Sequence, residues 1–211
     1  MKIHKFTFNP IEENTYILYD ESGRCIIVDA GCYTKGEQEE LAEFIQENGL
    51  IPEKIINTHG HFDHLLGNSF CREKYHIPFY IHKDDVSMVA GAENMAEFFG
   101  ISLKHVSPPD GLLKEGTKIT LGKSFLEVIH LPGHSPGGVA FYNKEQNFLL
   151  SGDSLFRGGI GRTDFPGGNE NNLIKAIKEK VMVLPEETII YTGHGPETTI
   201  KIEKKTNQFL L

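Results

Sequence analysis

Apolar and polar residues alternate in two separate stretches of the chain, a pattern typical of half-buried β-strands. In the first stretch we predict strands over residues 3–8, 15–19 and 25–28. In the second we predict strands over residues 118–121, 125–131, 139–142 and 148–150. Short runs of turn-forming residues separate neighbouring strands, as in Asp20-Glu21-Ser22-Gly23. Each stretch is therefore predicted to be a β meander.

Helices are predicted where apolar residues recur every three or four positions. Leu41, Phe44 and Ile45 share one face of a predicted helix over residues 37–48, and Gly49 follows as its C-cap. Further helical segments are predicted at residues 67–75, at 84–100 and around 173–181. Short buried strands are predicted at residues 55–57, 79–81 and 188–191.

The second half of the chain thus repeats the first in outline, with helices after each group of strands. A length of 211 residues suits one domain with a large core. We predict a single α/β domain over residues 1–211, in which two sheets pack face to face with helices on both outer faces, a four-layer αββα sandwich.

Composition narrows the classes of partner. The formal charge of −8 would repel phosphate backbones, so we expect a small-molecule partner and no nucleic acid. The first six residues alternate polar and apolar, so we expect neither a signal peptide nor a membrane partner. We therefore expect a cytoplasmic protein.

Cys25, Cys32 and Cys71 are too few and too irregularly spaced for a disulfide framework, and we expect buried thiols. The oligomeric state is left open.

The run Thr58-His59-Gly60-His61-Phe62-Asp63-His64 is the strongest functional signal in the chain. Three imidazoles and a carboxylate are ligands that suit zinc, iron or manganese. No cysteine lies nearby, which argues against a closed structural zinc site. An apolar run precedes the cluster, which places it at the end of a buried strand. We therefore predict a catalytic metal site, against the alternative of a surface histidine cluster.

Three later positions have the same placement after an apolar strand. They are His134 in Leu131-Pro132-Gly133-His134, Asp153 in Ser151-Gly152-Asp153-Ser154, and His194 in Thr192-Gly193-His194-Gly195. Each position alone is weak evidence for a site, but the repeated placement at strand ends indicates one shared site at the edge of the two sheets.

With these residues the chain resembles the metallo-β-lactamase superfamily, through its H-x-H-x-D-H motif and the later histidine, aspartate and histidine, over residues 29–194. The resemblance implies two divalent metal ions, most simply zinc, with iron or manganese as alternatives. By this resemblance one ion would be held by His59, His61 and His134, and the other by Asp63, His64 and His194, with Asp153 bridging them. Asp29, in Val28-Asp29-Ala30-Gly31, would orient a ligand histidine, the alternative being a plain turn residue.

The implied chemistry is hydrolysis. Two divalent ions lower the pKa of a shared water, so that Asp63 and Asp153, as metal ligands, would position a bridging hydroxide for attack on a thioester or ester carbonyl. The thiolate then leaves without a strong acid.

Residues 152–165, which include Gly161-Arg162-Thr163-Asp164-Phe165, resemble the short bacterial members of the glyoxalase II group, the hydroxyacylglutathione hydrolases. That resemblance implies cleavage of S-lactoylglutathione, with Arg162 binding a glutathione carboxylate. The alternative for Arg162 is a salt bridge to a neighbouring acid. The chain has no helical carboxy-terminal glutathione-binding domain in this interpretation, and Asp164 replaces a tyrosine of the larger enzymes, so another thioester remains a candidate.

Three other functions stay open. The same residues fit a persulfide dioxygenase, an oxidoreductase with a single iron held by His59, His134 and Asp153. Hydrolysis of a lactone or another ester, and a non-catalytic metal-binding module, are less favoured. Met95, Phe98 and Phe99 recur at helical spacing between the two halves, which predicts either a lid over the substrate or a part of the core.

Overall fold

The computed structural model describes residues 1–103 and 105–211. Its strands are β1 (Lys2–Phe8), β2 (Glu13–Tyr19), β3 (Arg24–Val28), β4 (Ile51–Ile56), β5 (Phe79–His82), β6 (Gly111–Leu113), β7 (Lys118–Leu121), β8 (Ser124–His130), β9 (Val139–Asn143), β10 (Phe148–Gly152), β11 (Leu155–Phe156), β12 (Gly159–Ile160), β13 (Ile189–Thr192) and β14 (Thr198–Thr199). Its α-helices are α1 (Lys35–Glu47), α2 (Asn68–Tyr75), α3 (Val86–Phe98), α4 (Glu170–Ala176) and α5 (Ile200–Thr206). Single 3-10 turns occupy Phe62–His64 and Lys83–Asp85, and a π-helical turn, Ile177–Val181, continues α4.

The strands form two mixed sheets of six strands and a small hairpin within the described residues. The first sheet has the order β1-β2-β3-β4-β5-β6, antiparallel up to β3 and parallel from β3 to β6. The second has the order β14-β13-β10-β9-β8-β7, in which β10 and β13 are parallel. Strands β11 and β12 form the hairpin.

Three apolar cores separate four layers of structure. A central core lies between the sheets, where Ile26 and Val28 of the first sheet pack with Val128 and Phe141 of the second. An outer core joins the first sheet to α1, α2 and α3, and another joins the second sheet to α4, its π-helical turn and α5. The predicted αββα sandwich in a single domain is therefore confirmed.

Helix α1 shows how local sequence produces one of the outer layers. Thr34 accepts a hydrogen bond from the backbone of Glu37, and the Glu37 side chain accepts one from Thr34, which forms a capping box at the amino end. Leu41 and Ile45, one turn apart, are buried against the first sheet. The acidic residues Glu39, Glu40, Glu43 and Glu47 are exposed, so the helix covers the sheet with one apolar face.

The fold brings the ends of five strands to one edge of the sandwich. Strands β3, β4, β8, β10 and β13 all end there, and the loops that follow them carry the residues that the sequence singled out. Because β3 and β4 are parallel neighbours, and β10 and β13 are parallel neighbours, their carboxyl ends meet at this edge.

Short elements were not predicted. They are β6, the β11–β12 hairpin, β14 and α5, and none except α5 exceeds three residues. Segments of this length show no hydrophobic periodicity, so pattern alone does not reveal them. None of the helices within residues 1–103 and 105–211 has the length and apolar character needed to cross a membrane.

Candidate metal centre

The seven residues predicted as metal ligands lie together at the strand-end edge of the sandwich. His59, His61, Asp63 and His64 lie in the loop and 3-10 turn after β4. His134 follows β8, Asp153 follows β10, and His194 follows β13. All of them are buried or half-buried, so each strand delivers its side chain to a site that is largely withdrawn from solvent.

Three imidazoles form the first group of donors. Nε2 of His59 lies 3.0 Å from Nδ1 of His61 and 3.3 Å from Nε2 of His134. One ring nitrogen of each histidine lies within 4.8 Å of the others, close enough for a single ion to reach all three. This group is the one that the sequence predicted for the first metal ion.

The second group consists of Asp63, His64 and His194. Nε2 of His194 is 3.2 Å from Oδ2 of Asp63, and Nε2 of His64 is 3.6 Å from the same oxygen. Asp153 lies between the two groups. Its Oδ2 is 3.6 Å from Nε2 of His134 and 3.5 Å from Nε2 of His194, and its Oδ1 is 3.4 Å from Nε2 of His64.

Hydrogen bonds on the outer side of the rings fix which nitrogen is free to bind. Nδ1 of His134 is 2.8 Å from the carbonyl oxygen of Arg162. A carbonyl only accepts, so Nδ1 carries the proton and Nε2 of the neutral ring presents a lone pair to the site. His194 is held in the same way, with Nδ1 3.1 Å from the carbonyl oxygens of Ile11 and Glu12.

His59 has the same tautomer through a longer relay. The Thr58 hydroxyl donates to Oδ2 of Asp29 over 2.7 Å, so its proton is already used. The hydroxyl lies 3.0 Å from Nδ1 of His59 and must accept from it. Nε2 of His59 is therefore the free nitrogen, and it faces the other two imidazoles of the first group.

Unsatisfied polar atoms support a fit to metal ions. Among the described residues, Nε2 of His61, both ring nitrogens of His64 and Oδ1 of Asp153 are buried without a hydrogen-bond partner. Buried polar atoms are nearly always paired, and leaving several unpaired in one place is costly. Imidazole and carboxylate donors converging in this way fit divalent transition-metal ions, so the centre is suited to two adjacent metal ions.

In the metal-free centre, the pKa shifts favour neutral rings for His59 and His61 and a charged carboxylate for Asp153. Burial lowers the pKa of His59 well below its ordinary value, and burial with the nearby His134 lowers the pKa of His61 to about 4. Both rings are therefore neutral at pH 7, as metal binding requires. Burial alone would raise the pKa of Asp153, but His64 and His194 bring it well below its ordinary value, so the carboxylate is charged.

Strand β2 of the first sheet holds the loop that carries His194. The side-chain amide of Asn14 donates to the carbonyl oxygens of Thr192 and Gly195, over 3.0 and 2.9 Å. The Tyr16 hydroxyl also donates to the Thr192 carbonyl, over 2.7 Å. These contacts join the two sheets at the centre, and they were not predicted from the sequence because the partners lie more than 170 residues apart.

A pocket of about 340 Å³ opens over the donor groups. Its floor contains His61, Asp63, His134, Asp153 and His194, and the rest of its wall is Ile11, Phe62, Met95, Phe99, Phe156, Arg162 and Phe165. Of the three residues of the predicted lid, Met95 and Phe99 line the pocket, whereas Phe98 is 82% exposed and does not. Met95 also packs against the core between the first sheet and its helices, so its side chain is both part of the pocket wall and part of that core.

Arg162 forms a salt bridge to a neighbouring acid, Asp164, which is the alternative role predicted for it. Nε and one terminal nitrogen of the guanidinium donate to the two carboxylate oxygens of Asp164, each over 2.7 Å. The guanidinium also lies over the ring of Phe165, 3.8 Å from its centroid. Arg162 remains exposed at the pocket wall, where both a substrate and Asp164 can reach it.

Among the described residues, a further group of possible donors consists of His82, Asp84 and His130. The two imidazole rings are stacked, with centroids 4.2 Å apart and planes 16° from parallel. Lone pairs lie in the ring planes, so those of stacked rings do not converge on one ion. The stacking therefore argues against a metal site at His82 and His130.

Comparison with known proteins identifies the family. Residues 9–194 match the model of the metallo-beta-lactamase superfamily. The chain belongs to the metallo-beta-lactamase superfamily. The match covers every residue of the two donor groups, and the chain is accordingly a metallo-hydrolase of this superfamily.

Three relatives extend over nearly the whole chain. It is 40% identical to the probable metallo-hydrolase YqgX of Bacillus subtilis, covering 100% of this chain and 98% of that protein. It is 34% identical to the hydroxyacylglutathione hydrolase GloC of Haemophilus influenzae, again over 100% and 98%. The crystal structure of TTHA1623 in a di-iron-bound form has 38% identity and a TM-score of 0.89, covering 98% of this chain and 100% of that one.

Proposed function

We propose that the chain hydrolyses a small-molecule thioester and that S-lactoylglutathione is the first substrate to test. The observation that carries the proposal is the position of the two donor groups at the floor of an open pocket about 340 Å³ in volume. A pocket of this size suits a small molecule rather than a polymer. The 34% identity to GloC over the whole chain supports the choice of a hydroxyacylglutathione.

The residues that would hold the metal ions follow from the free nitrogens. His59, His61 and His134 would hold one ion, and Asp63, His64 and His194 the other, with Asp153 between them. Two bound divalent ions supply activation of water near neutral pH and polarisation of a carbonyl. Zinc is the proposed metal, and iron is the alternative because the similar TTHA1623 binds two irons.

The chain's own groups prepare the site for that chemistry. The carbonyl of Arg162 keeps the proton of His134 on Nδ1, away from the pocket. Asp153 stays ionised at neutral pH, since His64 and His194 lower its pKa against the effect of burial. Phe62, Phe99 and Phe165 line the space above the donors and exclude bulk water from a bound acyl group. A thiolate leaving group needs no strong acid, and the proposal requires none.

Hydrolysis of S-lactoylglutathione tests the proposal directly. We expect the zinc-loaded protein to consume the thioester absorbance, to lose this activity on chelation and to regain it when zinc is returned. The matched control is Asp153→Ala, which removes the carboxylate between the two donor groups and is expected to be inactive. No turnover by protein shown to contain two equivalents of metal would refute this substrate.

A persulfide dioxygenase is the second candidate. Its single iron would need His59, His134 and Asp153, and these come together, with His134 Nε2 3.3 Å from His59 Nε2 and 3.6 Å from Asp153 Oδ2. The hydrolase is preferred because Asp63, His64 and His194 form a second complete group. Oxygen uptake by iron-loaded protein with glutathione persulfide, in the absence of thioester hydrolysis, would reverse this preference.

A further inference from the structure

Asp85 is a buried carboxylate outside both donor groups of the metal centre. It ends the 3-10 turn Lys83–Asp85, between strand β5 and helix α3. Its side chain is inaccessible to solvent, with 0% of the residue exposed. A charged group is rarely buried in this way unless it is fully hydrogen-bonded, so its partners indicate what it stabilises.

The carboxylate of Asp85 accepts three hydrogen bonds. Oδ2 accepts from the backbone N–H of Gly60 over 2.9 Å and from the Ser135 hydroxyl over 2.7 Å. Oδ1 accepts from the backbone N–H of Gly137 over 2.5 Å. Hydrogen bonds to a charged acceptor are about twice as strong as neutral ones, and here all of them are shielded from water.

The three donors belong to the two loops that carry the first group of imidazoles. Gly60 lies between His59 and His61, while Ser135 and Gly137 follow His134. These loops leave different sheets, β4 in the first and β8 in the second. One carboxylate therefore connects the two loops whose separation determines whether three imidazoles meet at one point.

Glycine at two of these positions allows the approach of Asp85. A Cβ added to Gly137 would lie 2.8 Å from the backbone nitrogen and from Oδ1 of Asp85. A Cβ added to Gly60 would lie 3.0 Å from the carbonyl oxygen of Asp85 and 2.8 Å from Cβ of Met88. Real Cβ atoms essentially never make contacts under 3.0 Å, so Gly137 is explained by packing against Asp85, and Gly60 by packing against Met88 together with a tight contact to Asp85.

We propose that Asp85 is a positioning residue that holds the loop of His59 and His61 at a set distance from the loop of His134, and so determines the metal affinity of the three-histidine group. The inference rests on the proposed function only in that the centre binds metal, and it does not depend on the substrate. The three bonds reach residues that stand beside His59, His61 and His134. The loop of Gly60 also carries Asp63 and His64, but its bonded N–H lies between the two histidines of the first group, so the larger effect is expected on that group.

Asp85→Asn is the informative substitution because it keeps the shape and loses an acceptor. Whichever way the amide is turned, its NH₂ group faces an N–H or an O–H that needs an acceptor. The matched control is Asp84→Asn, the same change in the adjacent residue, whose side chain is 45% exposed. Ser135→Ala is a second variant that removes one of the three bonds and leaves the carboxylate in place.

The experiment is a titration of each metal-free protein with Co²⁺ and Zn²⁺ in competition with a chelator, together with the Co²⁺ absorption spectrum. Loss of a group that orients metal ligands weakens metal binding by about 10- to 100-fold. We expect Asp85→Asn to bind one of its two metal equivalents about tenfold or more weakly, with an altered Co²⁺ spectrum. The other equivalent should be weakened less, and Asp84→Asn should match the unsubstituted protein.

Two results would overturn the proposal. One is an Asp85→Asn protein with both metal affinities and the Co²⁺ spectrum unchanged, and the other is equal weakening of both equivalents. If Asp85→Asn does not fold, Ser135→Ala decides by the same criteria, with a smaller loss at one equivalent expected. Since the readout is metal binding, an absence of thioester hydrolysis by the unsubstituted protein would refute the substrate and leave this inference intact.

Discussion

Oδ2 of Asp29 lies 3.1 Å from Nδ1 of His64, which is close enough for an ion pair. The geometry is not that of a hydrogen bond, and Nδ1 of His64 has no hydrogen-bond partner among the described residues. The same carboxylate accepts hydrogen bonds from the backbone N–H and the hydroxyl of Thr58, each over 2.7 Å. Thr58 in turn contacts Nδ1 of His59. Asp29 therefore contacts His64 of the second donor group directly and His59 of the first through Thr58. A residue that only formed a turn would need neither contact.

Replacement of Asp29 by asparagine should weaken both metal equivalents. An amide accepts through one of its two atoms only, so the variant loses either the bond from the Thr58 N–H to Oδ1, or both the Thr58 hydroxyl bond and the His64 contact at Oδ2. The backbone at residue 29 has a φ of 51°, which asparagine adopts more readily than most residues, so the fold should persist. We expect a 10- to 100-fold loss of metal affinity, measured by chelator competition. Unchanged affinity would show that Asp29 is a turn residue.

Asp153→Ala should abolish turnover with little change in the fold. The carboxylate lies between the two donor groups and carries charge at neutral pH, but its removal leaves the apolar cores untouched. His59→Ala should behave in the same way. Circular dichroism and metal content of each variant, measured beside its activity, check the prediction. A fully active Asp153→Ala protein would exclude a mechanism that needs two metal ions.

The sequence predicted the candidate metal ligands but not the residues, such as Asp85, that hold the ligand loops in place. His59, His134, Asp153 and His194 each follow a strong apolar strand, so a local pattern was enough to locate them. Asp85 lies in the polar run Lys83-Asp84-Asp85, where nothing local distinguishes it from its exposed neighbours. Its partners are 25 to 52 residues away, and such pairings arise only when the sheets pack.

The strands also differ in how far a local sequence pattern predicts them. Long strands with regular alternation, such as β1 and β8, were located to within one residue at each end. The three-residue strand β6 was not, because it pairs with β5 at the edge of a sheet and exposes Leu112. Its conformation is set by the neighbouring strand rather than by its own pattern.

The cysteines should be unreactive in the folded protein. All three are buried, as expected from the sequence. Burial raises the pKa of Cys25 to about 12, and contact with Cys71 together with burial raises the pKa of Cys32 well above its ordinary value. A raised pKa keeps a thiol protonated, and only the thiolate reacts. At pH 8 we expect no reaction with a disulfide reagent in the native protein and three equivalents after denaturation; rapid native labelling would contradict the burial.

Asp164→Asn should improve the binding of substrates that carry a carboxylate. Asp164 occupies the edge of the Arg162 guanidinium formed by Nε and one terminal nitrogen, so a substrate carboxylate that uses this edge must displace it. Because exposed ion pairs are weak, we expect a roughly two- to fivefold decrease in KM for S-lactoylglutathione, with kcat unchanged. Arg162→Ala should instead raise KM.

The pH dependence and a neutral substrate separate this effect from a structural one. The hydrogen bonds from Arg162 lower the pKa of Asp164 to about 2. A lowered carboxyl pKa means that the pair keeps its charges until the pH falls towards 2, so the gain from Asp164→Asn should be constant between pH 5 and 8. A thioester without a carboxylate should show the same KM with both proteins. An equal change of KM for both substrates would mean that Asp164 shapes the pocket and does not compete for Arg162.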